Sequence, residues 1–273
     1  MVLNYFKVGI RNILKHKMFS FINVFGLAVA MSVCMLIIAM LADQKQYDQF
    51  HSNKERIYRV LSKAADSSNP YASTPFPLSA TLISNYPVIE DATRLVMGVG
   101  GEGTYKGKTV ELRGFFADTS FFDVFSYPLK KGSRNTALTL PNSMVITADL
   151  AYLLFNDENP IGKTIEFVDR GFHYLKMEKE SPPSGWGSYT ITGVIETKGY
   201  KSHLKFDALV SASSMPVLQG ERKIGNLADD WSNFSKCFSY VLLTPNVNAA
   251  ELEAGLNDLT RRTYGHIQEF KGF

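Results

Sequence analysis

The longest run of apolar positions lies near the beginning of the chain. Residues Phe19 to Leu41 contain no charged side chain. Because an α-helix rises about 1.5 Å per residue, about 20 apolar residues cross the ~30 Å hydrocarbon core of a bilayer, and these 23 residues suffice. The pattern predicts one transmembrane helix over residues 19–41.

A cleaved secretory signal peptide is the alternative interpretation, because it also begins with a basic segment followed by an apolar one. Its apolar region is normally about 7 to 15 residues long and ends at a small-x-small cleavage site. The apolar run of this chain is longer, and its Ala-x-Ala sequence, Ala28 to Ala30, lies in the middle of it. We therefore favour an uncleaved signal-anchor helix.

The charges around this run predict its orientation. Residues 1–18 carry four basic side chains and no acidic one, whereas residues 43–48 mix both signs. The four basic residues are Lys7, Arg11, Lys15 and Lys17. The positive-inside rule then predicts a cytoplasmic N-terminus, with everything after Leu41 on the other side of the membrane.

Residues 1–18 also have the pattern of an amphipathic helix. Apolar side chains recur at steps of three and four residues from Leu3 to Leu14, with basic side chains on the opposite side. Such a helix can lie in the membrane interface as a simple anchor, or it can offer a cytoplasmic surface to a partner protein. The sequence leaves both interpretations open. After the apolar run, helical spacing continues over residues 42–56 and predicts a short stalk.

Residues 57–273 show the mixed periodicities of an α+β domain. The predicted strands are 57–62, 109–116, 143–147, 189–196, 201–211 and 239–243, and the predicted helices are 79–85, 148–155 and 248–264. Glycines 98–103 predict a turn, Lys106-Gly107 predicts a hairpin turn, and residues 98–131 as a whole are β-rich. Because strands and helices do not alternate regularly, we expect an α+β fold rather than a doubly wound sheet.

Composition narrows the possible functions. Removing the four basic residues of the tail from the 29 Lys and Arg leaves 25, against 26 Asp and Glu. A nucleic-acid-binding domain would keep clustered basic patches after this subtraction, so we expect no nucleic-acid partner. Cys34 lies inside the apolar run and Cys237 far outside it, which predicts no disulfide. The five histidines are scattered without metal-ligand spacing.

Three short motifs resemble nucleotide-binding or catalytic signatures. The glycines of residues 98–103 have G-x-G-x-x-G spacing, but β-rich sequence follows where a phosphate-binding helix would begin. Gly162-Lys163-Thr164 lacks the first glycine of a phosphate-binding loop, because position 157 is aspartate. No Gly-x-Ser-x-Gly sequence accompanies His203 or Asp207. We therefore assign no catalytic, cofactor-binding or metal-binding residue, and we expect neither a cofactor nor an enzyme.

Several runs together resemble one protein family. The sequence VGIRNILKHKMFSFINVFGLAVAMSVCMLI, followed by YDQFHSNKERIYRV, resembles the N-terminus of bacterial FtsX/MacB-type ABC transporter permeases. Further on, ADTSFFDVFSYPLKKGSRNTAL, SMVITADLAYLLFNDENPIGKTI, ITGVIE and SHLKFDALVS resemble successive pieces of the MacB-like periplasmic core domain. These runs follow the order of the family and cover nearly the whole chain.

The resemblance implies a permease subunit that couples a cytoplasmic ABC ATPase to an extracytoplasmic domain, for efflux or for control of envelope enzymes. Its implied partners are that ATPase, the membrane, and a second copy or a paired permease. It implies a protein of the bacterial inner (plasma) membrane, and the one apolar run of spanning length in the sequence leads us to expect a single pass. The expected parts are a cytoplasmic segment 1–18, a transmembrane helix 19–41, a stalk 42–56 and a periplasmic core domain 57–273.

The chain also departs from the family. Such permeases carry at least three further membrane helices after the core domain, and no second apolar run of that length precedes Phe273. We also expect the family's last strand to be missing, so that the core domain is incomplete at its C-terminal end in a fragment, a split gene or a truncated copy. The alternative function is a signal-anchored extracytoplasmic enzyme or binding protein, which requires a cleft with converging polar groups.

Overall fold

The structure is a computed structural model that describes residues 2–64, 69–172, 182–265 and 270–272. The chain divides into two units, Met1–Gln49 and Phe50–Phe273.

The first unit consists of two helices, α1 (Val2–Lys15) and α2 (Lys17–Gln44). His16 separates them, because its backbone (φ −113°, ψ 57°) is not helical. α2 is one continuous helix of 28 residues without a buried residue, and its length and composition suit a membrane span. It contains the whole of the predicted run 19–41. Residues 45–49 form turns instead of the helical stalk that we expected there.

The second unit is a mixed α+β domain, as the sequence predicted. Its strands are β1 (Ile57–Arg59), β2 (Lys63–Ala64), β3 (Ile89–Tyr105), β4 (Lys108–Ala117), β5 (Leu129–Gly132), β6 (Ser143–Thr147), β7 (Thr164–Asp169), β8 (Ser184–Ile195), β9 (Ala208–Ser211), β10 (Cys237–Leu243) and β11 (Phe270–Gly272). Its helices are α3 (Leu78–Asn85), α4 (Phe121–Val124), α5 (Ala148–Phe155), α6 (Met215–Gly220) and α7 (Ala249–Tyr264).

In the part of the chain that the structure describes, nine of these strands form one sheet. The strand order is β1-β10-β3-β4-β9-β6-β8-β5, and β7 pairs with both β3 and β8. The β4–β9 and β6–β8 pairs are parallel, whereas the other pairs in this sheet are antiparallel. This mixture distinguishes the domain from a doubly wound parallel sheet. β2 and β11 form a separate two-stranded sheet.

Both faces of the large sheet are covered, which explains the three consecutive apolar residues in the middle of β6. All five residues of β6 are buried. Val145 packs on one face of the sheet with Leu95 and Phe121. Its neighbours Met144 and Ile146 pack on the opposite face. A strand that is buried on both faces needs apolar residues at every position rather than at alternate positions.

The six predicted strands all correspond to strands of the structure, and the three predicted helices correspond to α3, α5 and α7. The last helix begins where expected because the Asn248 side chain accepts a hydrogen bond from Ala250 N at 3.1 Å. Its apolar positions Leu252, Leu256 and Leu259 are buried in one cluster, as their spacing predicted.

The glycine-rich turn predicted at residues 98–103 is wrong, because these glycines lie inside β3. The strand is crossed there by a neighbouring segment, and Phe172 N donates a hydrogen bond to Gly100 O at 3.1 Å. A Cβ atom on Gly100 would lie 1.6 Å from Phe172 O. Glycine is therefore required for close backbone approach, not for a turn. The turn itself is at Lys106-Gly107, where positive φ values of 45° and 80° fit the predicted hairpin.

The β-rich prediction for residues 98–131 is confirmed in β3, β4 and the first residues of β5, and it fails between β4 and β5. Phe121, Phe122 and Val124 form the short helix α4 and are all buried, so tertiary packing overrides their strand propensity. We also expected no strand after the last helix, but β11 follows it and pairs with β2.

The predicted strand 201–211 is confirmed only in its second half. Residues 202–206 alternate between buried and exposed positions, as a strand on a half-covered surface would. Their backbone nevertheless joins no ladder, and the paired strand is β9 alone, Ala208–Ser211. The alternating pattern therefore predicted the burial of these residues correctly, but it did not predict whether their backbone pairs with a strand.

Candidate functional site

The sequence predicts no catalytic, cofactor-binding or metal-binding residue, so any candidate site must consist of polar groups that the fold brings together. The described residues contain no group of three or more His, Cys, Asp and Glu side chains that could hold a metal ion. Two concave regions of the second unit bring charged and apolar side chains together.

The lysine of the phosphate-loop-like motif is engaged in a structural contact. Lys163 forms an ion pair with Glu158, and its Nζ lies 5.3 Å from the ring centroid of Tyr105. The hydrogen bond with Glu158 raises the pKa of Lys163. Lys106 Nζ also approaches Glu158 Oε1, at 3.4 Å. These contacts join the tip of the β3–β4 hairpin to the turn after α5.

His203 and Asp207 make separate contacts. The Nε2 atom of His203 lies 2.8 Å from the hydroxyl of Tyr240. Asp207 Oδ2 accepts a hydrogen bond from the backbone N of Arg113 at 2.9 Å, which ties the entry of β9 to β4. His203 thus contacts a side chain of β10, and Asp207 contacts the backbone of β4.

The first concave region, which we call the Arg59 groove, is a half-open cavity of about 300 Å³. Aromatic and apolar side chains form its floor and basic side chains stand at its rim. Its lining comprises Arg59, Met97, Gly98, Gly114, Phe115, His203, Leu204, Lys205, Phe238 and Tyr240.

Strand register explains why the floor is aromatic. Phe238 and Tyr240 are two residues apart in β10 and therefore project from the same face of the sheet. Met97 of β3 pairs with Phe115 of β4 on that face. The rings of Phe115 and Phe238 meet edge to face, with centroids 6.1 Å apart. Arg59 of β1 pairs directly with Tyr240, so its side chain lies over the same rings.

The alternating segment 202–206 forms the other side of the groove. Leu204 and Phe206 are buried against the sheet, which leaves His203 and Lys205 exposed at the rim. The contact of His203 with the Tyr240 hydroxyl fixes this segment over β10. The sequence signal was present in these alternating residues, but the pairing of Arg59 with Tyr240, which are 240 − 59 = 181 positions apart, could not be anticipated from it.

The second concave region surrounds an internally neutralised ion pair. Arg94 binds Asp118 through two hydrogen bonds of 2.8 Å, one from Nε and one from Nη2. The Arg94 guanidinium carbon lies 4.0 Å from the centroid of the Phe76 ring. Burial lowers the pKa of Arg94, but its hydrogen bonds with Asp118 raise it, and the net shift is upward. Because both charges are already paired, this cavity of about 300 Å³ is a weaker candidate for binding an ion.

Comparison with known proteins identifies the family. The sequence profile of the MacB-like periplasmic core domain matches residues 20–259. The chain belongs to this family. No curated protein matches the chain.

Solved structures of MacB-like domains share the fold. A domain of a putative permease protein from Porphyromonas gingivalis is 22% identical with a TM-score of 0.60, covering 78% of this chain and 84% of that one. The periplasmic region of MacB from Actinobacillus actinomycetemcomitans is 16% identical with a TM-score of 0.51, covering 80% and 87%. The extracellular domain of the noncanonic ABC-type transporter YknZ from Gram-positive bacteria is 12% identical with a TM-score of 0.50, covering 80% and 99%.

The MacB-like family is one of transporter permease components, and its match begins inside α2. The mixed α+β unit is therefore a MacB-like core domain, and the apolar helix before it suits membrane anchoring. The family profile and the fold do not assign a role to the Arg59 groove. Its chemistry must be argued from its own residues.

Proposed function

We propose that the chain acts as a permease subunit that couples a cytoplasmic ABC ATPase to its extracytoplasmic core domain. The observation that carries this proposal is the joining of a MacB-like core domain to an apolar helix in which no residue is buried. Exposed apolar side chains over the whole length of a helix are unfavourable in water and favourable in lipid. A domain attached to such a helix receives force or displacement through it.

The orientation follows from charge. The four basic residues of positions 1–18 and the absence of acidic ones there favour a cytoplasmic α1. α1 then presents a basic, amphipathic surface on the side of the membrane where ATP is available. We propose that the ATPase contacts this surface, and that the permease works as a homodimer or with a paired permease.

Topology can be tested with a reporter that is active only outside the cytoplasm, such as alkaline phosphatase, fused after Phe273. Activity of this fusion, together with inactivity of a fusion placed before Val2, supports the proposed orientation. The opposite pair of results contradicts it.

The ATPase contact can be tested by charge reversal. In Lys7→Glu/Arg11→Glu/Lys15→Glu, we expect loss of co-purification with the cognate ATPase. The matched control is Lys106→Glu/Lys108→Glu/Lys130→Glu in the core domain, which should leave co-purification unchanged.

The chain alone should neither bind nor hydrolyse ATP, whereas the complex should do both. Saturable ATP binding by the isolated chain, abolished by Lys163→Ala, would contradict the proposal and favour an enzyme.

A further inference from the structure

The Arg59 groove combines basic side chains with an aromatic and apolar floor. Its basic side chains Arg59, His203 and Lys205 surround aromatic rings, and no acidic residue is among the described residues that line it. A volume of about 300 Å³ lies at the small end of the range for ligand pockets. The groove therefore has the size for a small molecule and the charge for an anion.

Arg59 determines which chemical group of a ligand the groove favours. Its Nε donates to Ala72 O at 3.0 Å, and its guanidinium carbon lies 4.6 Å from the centroid of Phe238 and 5.7 Å from that of Tyr240. These contacts hold the guanidinium over the rings. Within the described part of the chain, its two Nη nitrogens donate no hydrogen bond to protein. A fixed guanidinium with both Nη groups available matches the two oxygens of one carboxylate.

The floor of the groove determines which kind of molecule can carry this carboxylate. Beside the Arg59 guanidinium, the floor offers the half-buried side chains of Phe238 and Met97, whereas Phe115 and Tyr240 are almost completely buried. Aromatic rings favour edge-to-face or offset contacts with a further ring. At the rim, the Lys205 ammonium is exposed and carries a positive charge, which favours an anion.

We propose that the Arg59 groove binds a small aromatic carboxylate, with the carboxylate on the Arg59 guanidinium and the ring against Phe238 and Met97. This proposal concerns the core domain alone and stands independently of coupling to an ATPase. The same chemistry is offered by a free aromatic acid and by a peptide whose last residue is aromatic.

The test uses the full chain in lipid nanodiscs and measures binding by isothermal titration calorimetry and ligand-observed NMR. The probe is N-acetyltryptophan, and N-acetyltryptophanamide is the control that lacks the negative charge. An acetylated tripeptide ending in phenylalanine distinguishes the peptide source from the free acid. We expect saturable binding of at least one of the two carboxylates and at least tenfold weaker binding of the amide.

Variants locate the site. Arg59→Met should weaken carboxylate binding at least tenfold, and Arg59→Lys, which keeps the charge but loses the planar fork, should weaken it by a smaller factor. Arg262→Met removes an exposed, ion-paired arginine of α7 and should leave binding unchanged. Thermal unfolding of each variant verifies that it is folded. Absence of binding by the wild-type chain, equal binding of acid and amide, or unchanged binding by folded Arg59→Met would each overturn the proposal.

Discussion

Helix α2 and strand β6 are both rich in apolar residues, but their side chains differ completely in burial. Every residue of β6 is buried between two layers of side chains, whereas none of the 28 residues of α2 is buried. In β6 the apolar side chains are removed from water by other parts of the chain. In α2 no such cover exists within its unit, so the medium has to supply it. An apolar run can thus indicate either a buried core segment or a membrane span, and only the contacts of its side chains distinguish the two.

The largest expected difference is between two phenylalanines. Phe121 is completely buried, whereas Phe25 of α2 is 60% exposed. Phe121→Ala should lower the free energy of unfolding of the core domain by about 3–5 kcal/mol, because it removes buried area and leaves a cavity. Phe25→Ala should leave that free energy unchanged. Chemical unfolding of the full chain in micelles, followed by fluorescence of the buried Trp186, measures both. Equal effects would show that α2 and the core domain unfold as one structure.

An introduced charge should have the reverse effect: it should be costly in α2 and nearly neutral on the surface of the core domain. Val33→Arg places a guanidinium near the middle of α2, at a cost of roughly 2.5–3.5 kcal/mol for membrane insertion. Val217→Arg, at an exposed position of α6, should change stability by less than about 0.5 kcal/mol. The fraction of chain that resists alkaline extraction from membranes measures insertion. Full retention of Val33→Arg at the wild-type level would argue that α2 does not lie in lipid.

Two glycines extend the comparison to backbone packing. A Cβ on Gly100 would lie 1.6 Å from Phe172 O, whereas a Cβ on Gly26 of α2 would meet nothing within 4 Å. We expect Gly100→Ala to destabilise the core domain by about 1–3 kcal/mol through forced backbone movement. Gly26→Ala should leave it unchanged and favour the helix. Gly185→Ala is a second control inside a strand, since its Cβ would also be free of contacts. A tolerated Gly100→Ala would contradict the crossing of β3 by residues 170–172.

Sequence patterns predicted those features that depend on local periodicity. The run 19–41, the apolar face of α7 and the strand 143–147 depend on side-chain spacing, and each lies where expected. The glycines of residues 98–103 were misplaced because a close approach by a distant segment leaves the same signature as a turn. α4 was missed because burial on several sides made its aromatic residues resemble a strand.

The Arg59 groove could not be predicted from local sequence patterns, for the same reason. The Arg59 groove draws on β1, β3, β4, β10 and the segment before β9, whose register is set by the sheet as a whole. Each contributing residue has an ordinary neighbourhood in sequence. The family resemblance, by contrast, was available early, because it depends on many short runs in a fixed order rather than on one site.

The smallest expected effect concerns the ion pair at the tip of the β3–β4 hairpin, which has no counterpart in the uncharged run 19–41 of α2. The hydrogen bond from Lys163 lowers the pKa of Glu158 below its ordinary value of 4.5, and Lys106 adds to this. A carboxyl group whose pKa is lower in the folded than in the unfolded state stabilises the fold above the unfolded value, and this contribution is lost as the pH falls through the folded value.

Glu158→Gln should therefore lower the melting temperature slightly at neutral pH, and the difference from wild type should shrink as the pH falls below about 4.5. The effect is small because both partners are exposed to solvent, and added salt should reduce it further. Asp149→Asn is the control for general charge removal. Thermal unfolding followed by circular dichroism from neutral to acidic pH measures the difference. If that difference stays constant over the whole range, the carboxylate of Glu158 contributes nothing through its charge, and contacts such as the packing of Tyr105 against Phe155 hold the hairpin tip without it.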